Sequence, residues 1–499
     1  MPKPTYTPQR IVLIDIDALR ADVFQHALEA GELTHLGRLL GGPRTACGTN
    51  WIAVSTAPSM TYCCQASSIT GVHPRDHWVP GNHFFDRFGR LTDGVPRKFE
   101  FDFVDAPAVF LKGLAGKFLN PNAHTLYETA AQYGRSSTVV YHMYARGAQH
   151  WIKPGLDDWE AFAAVSHAGL GERYDNAMVA DAIRHLQQGH RPDLLTLYFF
   201  GLDHESHLEG PAHQQPYLTG IVDRQMGTFL KAYEALGLLP DTLFVIFSDH
   251  GQRKVVPDDR HNLKVGFMWD RELGHVFQSL GTDVQDHPLE GRNCEAIVSP
   301  CGAMAHVYLR PQGRPWGDAP AFDHEVLRHA QALWDANATG AYCPDLQGSM
   351  SMVMVRDVEH EGWYADYLAY TPDGLLPIDE FLAAHPEIVM VDAANRLHHM
   401  ASPYTGDLLL FTNYEQGYHF SLPPYQGIHG GLHPDDSCAV LAYGLPGGTP
   451  EQVADVCETL TARLAARCRA EGERPVSVAD MAYGVRVVMG WGSDKAIKR

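Results

Sequence analysis

Four short strings hold the side chains with which this 499-residue chain could do chemistry. Asp15-Ile16-Asp17 closes an apolar run at 11–16. Gly201-Leu202-Asp203-His204-Glu205-Ser206-His207 follows a run at 194–200. Ser248-Asp249-His250-Gly251 follows 243–247, and Gly427-Ile428-His429-Gly430-Gly431 precedes 438–442. Carboxylates and imidazoles are the oxygen and nitrogen donors of a Zn²⁺-type catalytic site, which keeps one coordination position open for substrate. Asp203 and His207 are spaced i, i+4, so one helical turn aims both at a single ion. Asp249 and His250 are adjacent and share an ion only where the chain curls, which Gly251 permits. Singly, each string is weak. An Asp at a strand end often caps a helix, and on spacing alone Asp15 competes with Asp17 and His204 with His207.

A hydrolase built on such ligands needs a nucleophile. Pro58-Ser59-Met60-Thr61-Tyr62-Cys63-Cys64-Gln65-Ala66-Ser67-Ser68-Ile69-Thr70-Gly71 reads as a turn, a short helix and a glycine stop. A hydroxyl at the start of that helix lies at the positive end of the dipole, where an alkoxide or phosphoryl oxygen is favoured. Taken alone, Thr61 reads as an N-cap.

The elements that must position these groups follow from periodicity. Runs at 11–16, 138–141, 194–200, 243–247 and 438–442 are short, apolar and rich in β-branched or aromatic residues, as in strands buried on both faces. Residues 221–236 (IVDRQMGTFLKAYEAL) have helical periodicity. Thr449-Pro450-Glu451-Gln452 is a capping box with Pro at the first helical position, which predicts a helix onward from there. Alternating strands and helices argue for an α/β fold with a doubly wound, mostly parallel sheet, in which ligands bind beyond the carboxyl ends of the strands. Residues 253–405 are richer in Gly, Pro and His, with weaker strands at 305–309, 352–355 and 388–391. They read as a cap inserted into a core made of 1–252 and 406–499. The basic end SDKAIKR reads as a frayed tail.

In this order the strings resemble the alkaline phosphatase superfamily, in its type I phosphodiesterase/nucleotide pyrophosphatase branch. IDIDALRAD matches the branch's opening S-I-D-G-F-R-A-D and selects Asp17 over Asp15. TYCCQASSITGVHPRDHWVPGN matches the nucleophile segment through its T-G and G-N pairs, which carries the nucleophile onto Thr61. LDHESH stands for P-D-x-x-G-H, carrying one ligand set onto Asp203 and His207, with His429 of the late H-G-G completing it. S-D-H-G is intact and carries the other set onto Asp249 and His250, with Asp17. The resemblance covers about residues 10–435. It implies an alkaline phosphatase-like fold and two divalent ions, Zn²⁺ first, with Mn²⁺ or Fe also suiting these ligands. It also implies cleavage of phosphodiester or nucleotide pyrophosphate bonds through a covalent phospho-threonine, with a small phosphorylated substrate, nucleotides included.

The departures bear on substrate. The branch carries Asn three residues after the nucleophile, whose amide donates to a phosphoryl oxygen. Here Cys64 stands there, a weak donor. Asn82 and helix-start backbone N–H groups are the replacements. Tyr62 and Tyr198 occupy positions that hold the base in nucleotide-cleaving relatives, and are expected to line the leaving-group pocket. A phosphonate hydrolase of the phosphonoacetate hydrolase type, a phosphomonoesterase and a non-catalytic, metal-stabilised binding protein are the alternatives. A sulfatase is disfavoured, because no C-x-P-x-R or S-x-P-x-R stands at the nucleophile. His73, His77, His83, His398 and His399 read as rim or surface groups.

Composition narrows the partners. Against 59 acidic residues stand 39 basic ones, a formal charge of −20, which excludes a phosphate-tracking surface for nucleic-acid polymers. No run of 18 apolar residues offers a bilayer span, so no membrane partner is expected. Nine cysteines without a C-x-x-C, and no hydrophobic leader, predict a reducing, cytoplasmic setting.

Overall fold

A computed structural model describes residues 5–41, 48–155, 169–265, 272–285, 294–421 and 425–492. The expected tail SDKAIKR lies outside the described residues.

The central sheet has seven strands, in the order Gly48–Val54, Cys438–Gly444, Thr242–Phe247, Arg10–Ile16, Leu194–Phe199, Ser137–Val140, His150–Ile152. The last five run parallel; Cys438–Gly444 pairs antiparallel with Thr242–Phe247, and Gly48–Val54 pairs antiparallel with Cys438–Gly444 at the edge. Every residue of Leu194–Phe199 and of Thr242–Phe247 is buried, as a strand covered on both faces requires. Helices flank the sheet in two groups. Leu170–Gln187, Asp223–Ala235 and Thr34–Leu40 pack together, as do Thr61–Thr70, Pro450–Ala470 and Asp480–Val488. The capping box at Thr449 forms as read: its hydroxyl accepts from the Gln452 N–H, and the Gln452 side chain accepts from the Thr449 N–H.

The inserted region is more ordered than its composition indicates. It builds a second seven-stranded sheet, in the order Val284–Gln285, Ala296–Cys301, Met304–Leu309, Leu408–Thr412, Met350–Val355, Leu368–Thr371, Gly374–Leu376. Its middle strand, Leu408–Thr412, lies past the expected limit at 405. The neck of the insertion closes where Arg253–Lys254 pairs with Gly427–Ile428. Helix Leu327–Thr339 covers this sheet over an apolar cluster of its own.

Three local expectations shift. Residues 388–391 form no strand: Val389 is exposed, and the Val391 N–H donates outward to the Leu432 carbonyl, docking the segment on the loop after His429. The helix read at 221–236 is Asp223–Ala235, entered through a wide turn at Leu218–Val222. Phe200 is not the end of a strand but the residue that caps helix Gly201–Glu209. Among the described residues no helix is long and apolar enough to cross a membrane.

Candidate active site

All four strings meet at the carboxyl ends of the parallel strands, because each lies just after one of them or in the loop that folds across them. Strand Arg10–Ile16 is followed at once by Asp17, and the next residue, Ala18, turns with φ 59°, which stops the strand at the site. Helix Gly201–Glu209 presents Asp203 and His207 from one face. Asp249 and His250 follow strand Thr242–Phe247, where the Asp249 carboxylate accepts from the backbone N–H groups of Ala18 (3.2 Å) and His250 (2.9 Å). His429 arrives from the loop after Gly427–Ile428 and is held from two sides. Its Nδ1 bonds the Ser59 carbonyl at 2.8 Å, and its own carbonyl accepts from Ala303, at the tip of an inserted hairpin. That approach leaves no room for a Cβ at Gly302, which would come within 1.8 Å of the His429 carbonyl.

Two groups of ligand atoms result, each with its atoms within 4.8 Å of one another: Asp17, Asp249 and His250, and Asp203, His207 and His429. In the first, His250 Nε2 lies 3.5 Å from Asp17 Oδ1 and 3.3 Å from Asp249 Oδ2. In the second, Asp203 is 3.4 Å from His207 Nε2 and 3.7 Å from His429 Nε2. The groups adjoin, with the His250 and His429 rings stacked at 3.9 Å.

These residues fit divalent metal ions on two independent counts. Each imidazole commits Nδ1 to a backbone carbonyl: His207 to Gly427 (2.7 Å), His250 to Gly251 (2.8 Å) and His429 to Ser59. That bond makes Nδ1 the N–H donor and leaves the Nε2 lone pair facing its group, the second contact typical of metal-binding histidines. Meanwhile Asp17 Oδ1 and Asp249 Oδ2 are buried and accept no hydrogen bond among the described residues. Burial, with Asp249 and Asp203 nearby, holds the Asp17 carboxyl well above the usual carboxylate range. Burial likewise pushes Asp249 up to about 6, helped by the charges of Asp15 and Asp203. Burial opposes ionisation of Asp203 too, but His207 and His429 hold its carboxyl below the usual range. Buried carboxylates this close call for cations between them.

Thr61 is the first residue of helix Thr61–Thr70; Met60 occupies the N-cap position, so Thr61 is not the cap. Its Oγ1 lies 3.1 Å from His250 Nε2. The loop leading to it is braced by Arg396, a buried guanidinium from the inserted region that donates to the Ser55, Ser59 and Ser437 hydroxyls and to the Thr56 carbonyl. No motif marks Arg396; only folding brings it there.

The other sequence-derived residues fall less evenly. Tyr198 is buried, edge-on to His142, and its hydroxyl donates to Asp17 Oδ2, so its ring does not line a cleft. Tyr62 packs against Phe101 and Tyr144 and donates to the Phe101 carbonyl. Both depart from the expected leaving-group pocket, for the same reason: each faces the core from its own element. Asn82 stands at the start of helix Thr61–Thr70, where Oδ1 accepts the Tyr62 N–H (2.9 Å) and Nδ2 donates to Asp102 (2.9 Å). Cys64 turns away under the 56–58 loop, its Sγ 3.5 Å from the Pro58 carbonyl, and burial raises its thiol pKa. Asp15 bonds Gln65 and faces His142 beneath the site. His77 is a core residue on Ser67, and His73 is buried with its ring 4.5 Å from that of His399, so neither is a surface group. Tyr425, which the sequence reading passed over, lays its ring 4.6 Å from that of His207.

A doubly wound sheet with a helix-start hydroxyl among strand-end carboxylates and imidazoles places the molecule in the alkaline phosphatase-like class of α/β folds. Human ectonucleotide pyrophosphatase / phosphodiesterase 5 shares that fold at a TM-score of 0.51 and 13% identity, with 87% of each chain covered. The murine protein of the same name gives 0.50 and 13% over 87% of this chain and 88% of its own. An inactive form of that murine protein has been solved in complex with AMP. Residues 11–315 match the type I phosphodiesterase / nucleotide pyrophosphatase family, and the chain belongs to it. A curated relative, GPI ethanolamine phosphate transferase 2 of Yarrowia lipolytica, is 28% identical over 149 residues, 29% of this chain but only 17% of the transferase. Family membership supports phosphoester hydrolysis of the phosphodiesterase/pyrophosphatase type.

Proposed function

We propose that the chain is a dimetal phosphohydrolase that cleaves phosphodiester or nucleotide pyrophosphate bonds through a covalent phospho-threonine at Thr61. The observation that carries this reading is the Thr61 hydroxyl, 3.1 Å from His250 Nε2, beside two groups of three ligands at the start of a helix. Asp17, Asp249 and His250 would hold one divalent ion, and Asp203, His207 and His429 the other. Zn²⁺ best suits this mixture of oxygen and nitrogen donors, with Mn²⁺ or Fe as alternatives. When bound, such ions supply positive charge to the phosphoryl oxygens and lower the pKa of hydroxyl groups beside them.

The chain's own residues do the rest. Thr61 Oγ, having lost its proton to solvent, forms a bond to phosphorus as the bond to the leaving oxygen breaks. That oxygen then takes a proton from water. A water molecule next attacks the phospho-threonine, and Thr61 leaves with its electron pair and regains a proton, so one difficult displacement becomes two easier ones. The positive end of helix Thr61–Thr70 favours the phosphoryl charge throughout. The substrate is a small phosphorylated molecule, nucleotides included.

The test is a panel of aryl phosphodiesters, nucleotide pyrophosphates, phosphomonoesters and phosphonates, run with and without added Zn²⁺ or Mn²⁺. Metal-dependent preference for diesters or pyrophosphates is the expected result. Preference for phosphonates or monoesters would move the substrate class, and absence of any turnover would overturn the reading.

Two tyrosines divide between bracing and binding in this proposal. Tyr198 holds Asp17, so Tyr198→Phe should lower kcat/KM about 10- to 100-fold on every substrate alike, as loss of a contact behind a metal ligand does. Tyr425, beside His207, takes the role of aromatic leaving-group contact. Tyr425→Ala should raise KM for aryl or nucleotidyl diesters more than for methyl diesters. Steady-state kinetics with paired substrates reads both; the reverse pattern would return the pocket to Tyr198.

A further inference from the structure

A third group of donors lies away from the active site. His150, His185 and His190 come from three separate segments: the edge strand His150–Ile152, the last turn of helix Leu170–Gln187, and the loop that follows that helix. One ring nitrogen from each lies within 4.8 Å of the other two. The ring centroids are 5.1 Å apart for His150 and His185, 4.8 Å for His150 and His190, and 4.0 Å for His185 and His190.

The group sits at the amino-terminal edge of the central sheet. His150 is in register with Thr138 near the start of strand Ser137–Val140, and His190 precedes strand Leu194–Phe199 by four residues. The active site lies at the other end of the same strands, roughly 20 Å away at about 3.3 Å per residue. The group therefore cannot share the catalytic ions.

We propose that His150, His185 and His190 form a separate transition-metal site of the three-histidine kind, for an ion that prefers imidazole, Zn²⁺ foremost, with Ni²⁺ or Cu²⁺ as competitors. This proposal stands apart from the reading of the catalytic site.

Three further features support it. The first is spacing. Donors no more than 4.8 Å apart need each to move by less than about 1 Å to reach the 2.0–2.1 Å bond of a zinc–imidazole centre. His190, on the loop, supplies that movement by swinging out of its parallel stack on His185, since two coplanar-facing rings do not aim their lone pairs at one point. The second is donor type. All three residues offer imidazole nitrogen, the ligand that Zn²⁺, Ni²⁺ and Cu²⁺ share. The third is orientation. The Thr138 hydroxyl lies 3.1 Å from His185 Nε2, the sort of second contact that fixes the ring of a metal-binding histidine. His185 is buried, while His150 and His190 keep some exposure, which gives an ion a way in. The formal charge of −20 favours cations at any such opening.

An ion there would clip the three-residue edge strand to the end of the helix. The fourth position would be left to water, as in sites with three protein ligands.

The experiment uses the full chain, stripped with chelator, dialysed against Zn²⁺ and measured by elemental analysis beside His150→Gln/His190→Gln. The variant should hold one ion per chain fewer than the parent and keep diester hydrolysis within about twofold. Zn²⁺ should raise the Tm of the stripped parent more than that of the variant. Should the double variant fail to fold, His190→Asn at the loop position gives the same readout, again with one ion lost. Equal ion content in parent and folded variant would overturn the proposal and leave the three rings as packing.

Discussion

Thr61→Ala should fold, keep its metal ions and lose turnover by about 10³-fold or more. The geometry separates these effects. Met60, not Thr61, occupies the helix N-cap, so no capping bond is lost with the hydroxyl. Deleting one small polar group whose contact is His250 Nε2 should cost about 1 kcal/mol of stability, the centre of the range for single substitutions. Each ligand group keeps its three residues. Under the proposed mechanism, what disappears is the covalent step, and water must then attack phosphorus directly. Thr61→Ser should recover part of the rate, because the same oxygen returns on a side chain with freer χ1. Steady-state hydrolysis of the best panel substrate, with Tm and metal content for each variant, decides the matter. A Thr61→Ala chain within threefold of the parent would leave Thr61 a structural residue and sink the mechanism.

If the proposed ions drive the chemistry, removing them should be equally damaging. Asp203→Asn/Asp249→Asn should hold two fewer divalent ions per chain than the parent, because each change takes one carboxylate from a different group of three. Losing a single neutral donor to a developing oxyanion costs about 10²–10³ in rate. Losing two divalent charges from the same space should cost more. The fold should tolerate these changes, since Asn keeps the shape of Asp and, at Asp249, removes a buried charge crowded by those of Asp15 and Asp203. Elemental analysis and chelation during assay provide the readout. Equal metal content in the double variant, or hydrolysis indifferent to chelator, would remove the ions from the chemistry.

Much of the candidate site is legible along the chain because its parts are local. A candidate ligand just after a strand needs only a strand, a turn and the right side chain, signals that sit within a few residues at Asp203 and Asp249, while the family resemblance was needed to choose Asp17 over Asp15. The i, i+4 pair Asp203 and His207 is a property of one helical turn, and the helix forms where the pattern puts it. The buried parallel strands were equally plain, since a strand covered on both faces must be apolar throughout. The inserted region was harder. Its second sheet pairs Met304–Leu309 and Met350–Val355 with Leu408–Thr412, partners about 55 to 105 residues apart, and no local pattern specifies such pairing.

The sequence by itself determined the doubly wound core, the order of the ligand strings and the hydroxyl at a helix start, each written in spacing over a few residues. Only the tertiary structure decided what the remaining side chains touch. Tyr198 looks like a pocket wall until its hydroxyl is found on Asp17. Arg396, with no motif around it, comes from the insertion to brace the Thr61 loop. His150, His185 and His190 become one group of donors only when an edge strand and a helix end meet. In each case the side chain's direction is set by packing between elements distant in sequence, and packing is a property of the folded whole.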